Sequence, residues 1–202
     1  MERLAGVEPV EGTVDVEVDA ARLWAAFARP DRWPRWNPSM FWAANRDLVL
    51  GDRLVWVFEP IHWWYPYKLP AIGTIVELEP GHLVTWEITA VPGFYARHSY
   101  WMDDLGGGRT RFGSTERATG PTFDAGRAFW LAHFAFVRDA SLAGAKALEE
   151  LDRRTGSLAL EEMPPPSPRS TVAMLVTLGA LAVAARALGG ALRPADGRPR
   201  PG

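Results

Sequence analysis

His98, Tyr100, Ser114, Glu116 and His133 are the side chains of this sequence best suited to hold a polar group or to move a proton. A hairpin closed at Gly106-Gly107-Gly108 sets Met102 opposite Phe112, Tyr100 opposite Ser114 and His98 opposite Glu116, with all six on one face. Met102 and Phe112 mark that face as apolar and inward, while Arg97, Arg109, Arg111 and Arg117 fall on the other. The expected result is a polar ladder inside an aromatic wall. A one-residue bulge in the hairpin would undo it. His133 approaches the same region from a helix, one turn after Trp130 and one turn before Val137. Such a group can orient a carbonyl or hydroxyl of a ligand, or move protons during an aldol-type closure. It can also be structural, with His98 and Glu116 satisfying one another and His133 bonded to a backbone carbonyl. Both readings stay open.

Other chemistries find no support. The four histidines, His62, His82, His98 and His133, show no His-x-x-x-His spacing, and the first two fall in loops, so no metal site is expected. No helix follows the glycine run and no Gly-Lys-Ser/Thr occurs, which removes a phosphate loop; no Gly-x-Ser-x-Gly occurs either. No cofactor is called for. With no cysteine, the chain has no disulfide scaffold, thiolate zinc site, iron–sulfur cluster or cysteine nucleophile. A net charge of -2 without a concentrated basic face argues against a nucleic-acid partner.

The elements that must position the ladder follow from periodicity. Val14, Val16 and Val18 alternate with polar residues, the pattern of a strand with one wet face. Asp19 can cap a helix over Ala20–Ala28, where Leu23, Trp24 and Phe27 share a face before Pro30; a short turn or helix, Asp31–Trp36, ends at Asn37-Pro38. From Phe41 to Gly120, short turns separate strands at Arg53–Phe58, Ala71–Leu78, Leu83–Thr89, Phe94–Met102 and Arg109–Ala118, an antiparallel meander. Asp124–Arg154 lacks proline and repeats Trp130, Phe134, Val137, Ser141, Gly144, Leu148 and Leu151 at helical spacing, so one long amphipathic helix is expected, stopped at Gly156.

The length of 202 residues and a hydrophobic share of 48% suit one globular domain with chain to spare. The domain is assigned to 1–156, a proline-rich linker to 157–170, a hydrophobic helix to 171–192 and a disordered tail to 193–202. As a helix, 171–192 would span roughly 33 Å, enough for a bilayer core, but it is rich in alanine and glycine and interrupted by Arg186. A membrane anchor and a surface or disordered segment both remain open. Met1–Gly12 carries three glutamates and no apolar run, so no signal peptide is read there and a cytoplasmic domain is expected, tethered if the tail inserts.

Several stretches resemble the START-like (SRPBCC) superfamily, especially its polyketide cyclase/dehydrase-like branch. They are Val14-Asp15-Val16-Glu17-Val18-Asp19-Ala20 with Leu23-Trp24, Asp31-Arg32-Trp33-Pro34-Arg35-Trp36-Asn37-Pro38, the run Gly73 to Gly81, the turn Gly106 to Thr110, and Ala143 to Glu149. The resemblance covers about residues 10–155. It implies an α+β helix-grip fold, a curved antiparallel sheet wrapped around the long C-terminal helix, with a deep apolar cavity between them. All ten tryptophans lie between Trp24 and Trp130. Trp56, Trp86, Trp130 and Phe134 are read as core or cavity wall, and Trp63 and Trp64, in Ile61-His62-Trp63-Trp64-Tyr65-Pro66-Tyr67, as an aromatic mouth. The function expected is binding or transport of a hydrophobic small molecule, lipid, quinone or polyketide-like; the alternative is a cyclase, aromatase or dehydratase using the same cavity. Ligand identity and oligomeric state are not readable from the sequence.

Overall fold

The computed structural model describes residues 2–59, 61 and 68–163. Its seven strands are β1 Val10–Val16, β2 Met40–Ala43, β3 Arg53–Phe58, β4 Leu69–Glu79, β5 Leu83–Ile88, β6 Tyr95–Gly106 and β7 Arg109–Thr119. They form one antiparallel sheet in the order β1-β7-β6-β5-β4-β3-β2, so the first strand closes against the last. The helices are α1 Ala20–Phe27, α2 Trp33–Trp36, α3 Pro121–Ala125 and α4 Arg127–Thr155. The sheet curls around α4, which turns Phe134, Val137, Ser141, Leu148 and Leu151 inward. This is the expected helix-grip arrangement.

Local chemistry explains the junctions. The Asp19 carboxylate accepts from the backbone N–H groups of Ala21 (2.9 Å) and Arg22 (3.4 Å), capping α1. Trp33 Nε1 donates to the Phe27 carbonyl at 2.6 Å and so fixes the turn after α1. The Phe27 ring then lies 5.2 Å from that of Tyr100 and 5.6 Å from that of Trp33. Gly156 ends α4 in the left-handed conformation, φ 72°.

The structure differs from the sequence reading in four places. β1 begins at Val10 and ends at Val16; Val18 is buried without belonging to the strand. The edge strand β2 is additional, and its four residues are too few to show a period. The long helix is two, because Gly126 separates α3 from α4 and its N–H bonds back to the carbonyls of Phe123 and Thr122. Past Gly156 the chain does not leave the domain: Leu160 is 2% exposed within the core and Glu161 pairs with Arg32 at 2.8 Å. The packed unit therefore runs beyond the expected boundary. Residues 164–170, the hydrophobic segment 171–192 and the tail 193–202 lie outside the described residues. Among the described residues, no helix is long and apolar enough to cross a membrane.

Gly144 sets how closely α4 approaches α2. A Cβ there would stand 2.6 Å from the Trp36 carbonyl oxygen and 2.8 Å from its indole. Gly144→Ala gains helix propensity but overpacks this contact, and a net loss of about 1–3 kcal/mol in urea unfolding is expected. An unchanged midpoint would show that α4 can shift away freely.

Candidate functional site

The ladder forms in the expected register. Met102 faces Phe112, Tyr100 faces Ser114 and His98 faces Glu116, and the hairpin's irregularity falls between Asp104 and Gly106, outside the ladder. Burial alternates along β6, so His98, Tyr100 and Met102 turn inward while Arg97 turns out to pair with Glu77 at 3.1 Å. His98 Nε2 lies 3.0 Å from Ser114 Oγ. Its Nδ1 lies 3.4 Å from Glu116 Oε2, within ion-pair distance but without the alignment of a hydrogen bond.

A second polar group lies deeper. Ser141 Oγ donates its single proton to the Val137 carbonyl at 2.7 Å, so Tyr100 OH, 2.9 Å away, and Asn37 Nδ2, 3.0 Å away, must both donate to it. Ser39 fixes the Asn37 amide through two bonds to Oδ1, from its N–H (3.0 Å) and its hydroxyl (2.7 Å). The phenol proton of Tyr100 is thus committed to Ser141. Asn37, Ser39 and Ser141 were not among the residues expected to join Tyr100; the one signal was a lone serine on the apolar face of α4.

Burial sets the charge state of the site. Desolvation pushes Glu116 up to about 8 and His133 down to about 4. It also lowers His98 to about 3, with neighbouring His133 adding to the effect, and it raises the Tyr100 phenol well above its usual value. At neutral pH both imidazoles are uncharged and Glu116 is mostly the carboxylic acid. An ion pair between His98 and Glu116 would require two charges in an apolar interior at a poor angle, so desolvation prevails.

A pocket of about 180 Å³ opens beside this ladder. Glu116 and His133 supply its polar side chains, and Phe58, Leu69, Phe94, Trp130 and Phe134 much of its apolar wall, with Ile72 and Val91 exposed beside it. Of the residues expected to bind ligand, Glu116, His133, Trp130 and Phe134 line it. His98, Tyr100 and Ser114 stand behind Glu116. Trp56 and Trp86 are fully buried, 5.6 Å apart by ring centroid, and Trp86 packs 5.2 Å from His98. They back the site instead of facing the pocket, because the protein's own rings fill the deep end of the concavity. Trp63 and Trp64 lie outside the described residues. Phe58, Leu69 and Phe94 were not picked out from the sequence; their inward alternation with Trp56, Ala71 and Ala96 is the signal that carried them. His82 sits apart, its Nδ1 3.1 Å from the Met102 carbonyl. Among the described residues no cluster suits a metal ion.

Comparison with known proteins agrees with this architecture. Residues 9–151 match the family described as polyketide cyclase/dehydrase and lipid transport. The fold is similar to that of the Zhui aromatase/cyclase from Streptomyces sp. R1128, with a TM-score of 0.59 and 17% identity over 74% of this chain and 98% of that one. It is also similar to the di-domain ARO/CYC StfQ from the steffimycin biosynthetic pathway, at a TM-score of 0.55 and 16% identity over 77% of this chain and 54% of that one. Norcoclaurine synthase from Thalictrum flavum, in complex with dopamine and hydroxybenzaldehyde, gives a TM-score of 0.51 at 16% identity over 74% of this chain and 92% of that one. At such identities the likeness is one of fold. No curated protein matches the sequence.

The shifted groups make stability depend on pH in two directions. Glu116, at 4.5 in an unfolded chain and about 8 when folded, keeps a proton that the unfolded chain has lost, so stability falls as pH rises between those values. His98 and His133, lowered from 6.5, cost stability as pH falls below 6.5. Maximum stability is expected at about pH 6.5, with a net loss of ~1 kcal/mol on going to about pH 8. Glu116→Gln should remove that alkaline loss in urea unfolding; an equal loss in the variant would assign it to another group.

Proposed function

The chain belongs to the polyketide cyclase/dehydrase and lipid transport family, and from that footing we propose that it binds a hydrophobic, ring-bearing small molecule through a hydrogen bond from the protonated Glu116 carboxyl to a ligand oxygen. The observation that carries this reading is a carboxyl held as the neutral acid, near 8, in the lining of an otherwise apolar pocket. A neutral acid donates to a carbonyl or hydroxyl without bringing a charge into the pocket, and His133, uncharged at neutral pH, supplies an acceptor or second donor beside it. The Phe58 ring meets the His133 ring edge-on at 4.7 Å, which holds the imidazole in place. Lipids, quinones and polyketide-like ketones all present the required oxygen on an apolar body. A pocket of 180 Å³ is below the roughly 300 Å³ of a drug-sized site, so it suits one ring or the end of a longer molecule.

A catalytic reading is favoured by one further observation. Burial pushes Glu116 and His133 in opposite directions, leaving an acid and a base in the lining of one pocket at neutral pH. That is the pairing a dehydration or aldol-type ring closure needs, with Glu116 protonating an oxygen and His133 accepting a proton from carbon. For 171–192, membrane attachment is a sequence-based part of the proposal, tested by carbonate extraction of a reporter fused to that segment; a fully extractable reporter rejects it.

Titration of the full chain with aryl ketones, followed by calorimetry, tests the binding reading. Affinity should fall about tenfold per pH unit above pH 8 as Glu116 ionises, and Glu116→Gln should bind with little pH dependence. Glu116→Ala should weaken binding about tenfold. Binding indifferent to Glu116→Ala would overturn the proposal. Turnover of a polyketone lost in both Glu116→Gln and His133→Phe, with binding retained, would promote the catalytic reading.

A further inference from the structure

Glu116 and Phe134 wall a second cavity as well. It measures about 330 Å³ and lies on their far side, bounded by Glu8 and Val10, by Thr119 at the end of β7, and by Arg127 and Leu131 of α4. The two spaces differ in chemistry: the first is apolar apart from Glu116 and His133, whereas the second carries a carboxylate, a hydroxyl and a guanidinium. Glu116 and Phe134 are the two side chains that both linings share, and the Phe134 ring between them stacks on Phe123 at 6.2 Å and leans on Trp130 at 6.4 Å.

We propose that the two cavities are the ends of one bent site, filled by an elongated molecule with an apolar ring at one end, an oxygen at Glu116 and an uncharged hydroxyl at the other. The inference rests on ligand binding at Glu116 as argued above. Together the cavities fall within the range of about 300–1,000 Å³ typical of small-molecule sites, which the first alone does not reach. The hydroxyl end follows from the second cavity's donors and acceptors. Arg127 is already paired with Asp124, and Glu8 opposes an incoming carboxylate, while Thr119, Glu8 and Arg127 can each bond a hydroxyl.

The test uses the full chain and phenyl alkyl ketones whose unbranched chains, of roughly two to eight carbons, end in a hydroxyl. Each methylene that enters the second cavity should raise affinity about three- to fourfold until the space is filled. The hydroxyl series should bind more tightly than carboxylates of equal length. Leu131→Trp places an indole in the second cavity from a partly exposed helix position, and the ratio of longest to shortest ligand affinity should fall to about one. A climb that persists in Leu131→Trp would run the chain out past Ile72 and Val91 and overturn the bent site. A flat series in the unsubstituted protein, with the shortest ketone still bound, would overturn it too while leaving binding at Glu116 intact. No binding by any member would remove both proposals.

Discussion

The register of β6 against β7 is the constraint on which the interior of this protein depends. Side chains alternate along a strand and paired residues share a face, so slipping that pairing by one residue would turn one of the two strands over, bringing either Arg97 in for His98 or Arg117 in for Glu116. The slip is blocked from both ends. At the turn, Gly106, Gly107 and Gly108 all adopt positive φ, from 65° to 77°, which admits only a narrow set of connections. On the outer face, the Trp101 indole lies across Gly113, where any Cβ would come within 2.1 Å of it, so that pair cannot be offset without a clash.

Given that register, the polar residues inside must live without charge. Four ionisable or phenolic groups share an apolar space with the rings of Trp86, Phe27 and Phe112, and none has a counter-ion able to offset its desolvation. The molecule meets this by neutrality and, at the deep end, by a group in which Tyr100, Ser141, Asn37 and Ser39 satisfy one another and tie β6, α4 and the start of β2 together, while the buried indole N–H groups of Trp36, Trp56 and Trp86 have no hydrogen-bond partner. Toward the pocket, His98 Nδ1 has no aligned partner, and Glu116 meets that nitrogen only at 3.4 Å.

Much of this was legible in the residues. Met102 and Phe112 tell which face of the hairpin is inside, and once that is known His98, Tyr100, Ser114 and Glu116 follow by alternation. The helix-grip topology was equally legible, because short turns force neighbouring strands to pair in order. What was not legible depends on distant contacts. Nothing in the sequence near Trp56 or Trp86 says that their rings fill the concavity instead of lining a void; that results from Phe27 and Trp33 arriving from another element. Leu160 sits in a stretch read as linker, and it is buried only because the chain doubles back past Gly156. Gly126 interrupts a helical period that is continuous in sequence. The cavity beyond Phe134 exists because Glu8 and Val10 come to lie against β7 and α4, again a long-range event.

That closure of the first strand on the last has a kinetic meaning. β2 to β7 can zip together from neighbouring hairpins, but Val10 must find Glu116 across most of the domain, a contact of high sequence separation and high loop-closure cost. The docking of β1 is therefore the late event in assembly, and until it happens one side of Glu116 remains open to water. Val10 then covers the edge of β7 beside Glu116, so the burial that raises this acid is completed by the N-terminal strand. On a ribosome, β1 emerges first and waits longest for its partner.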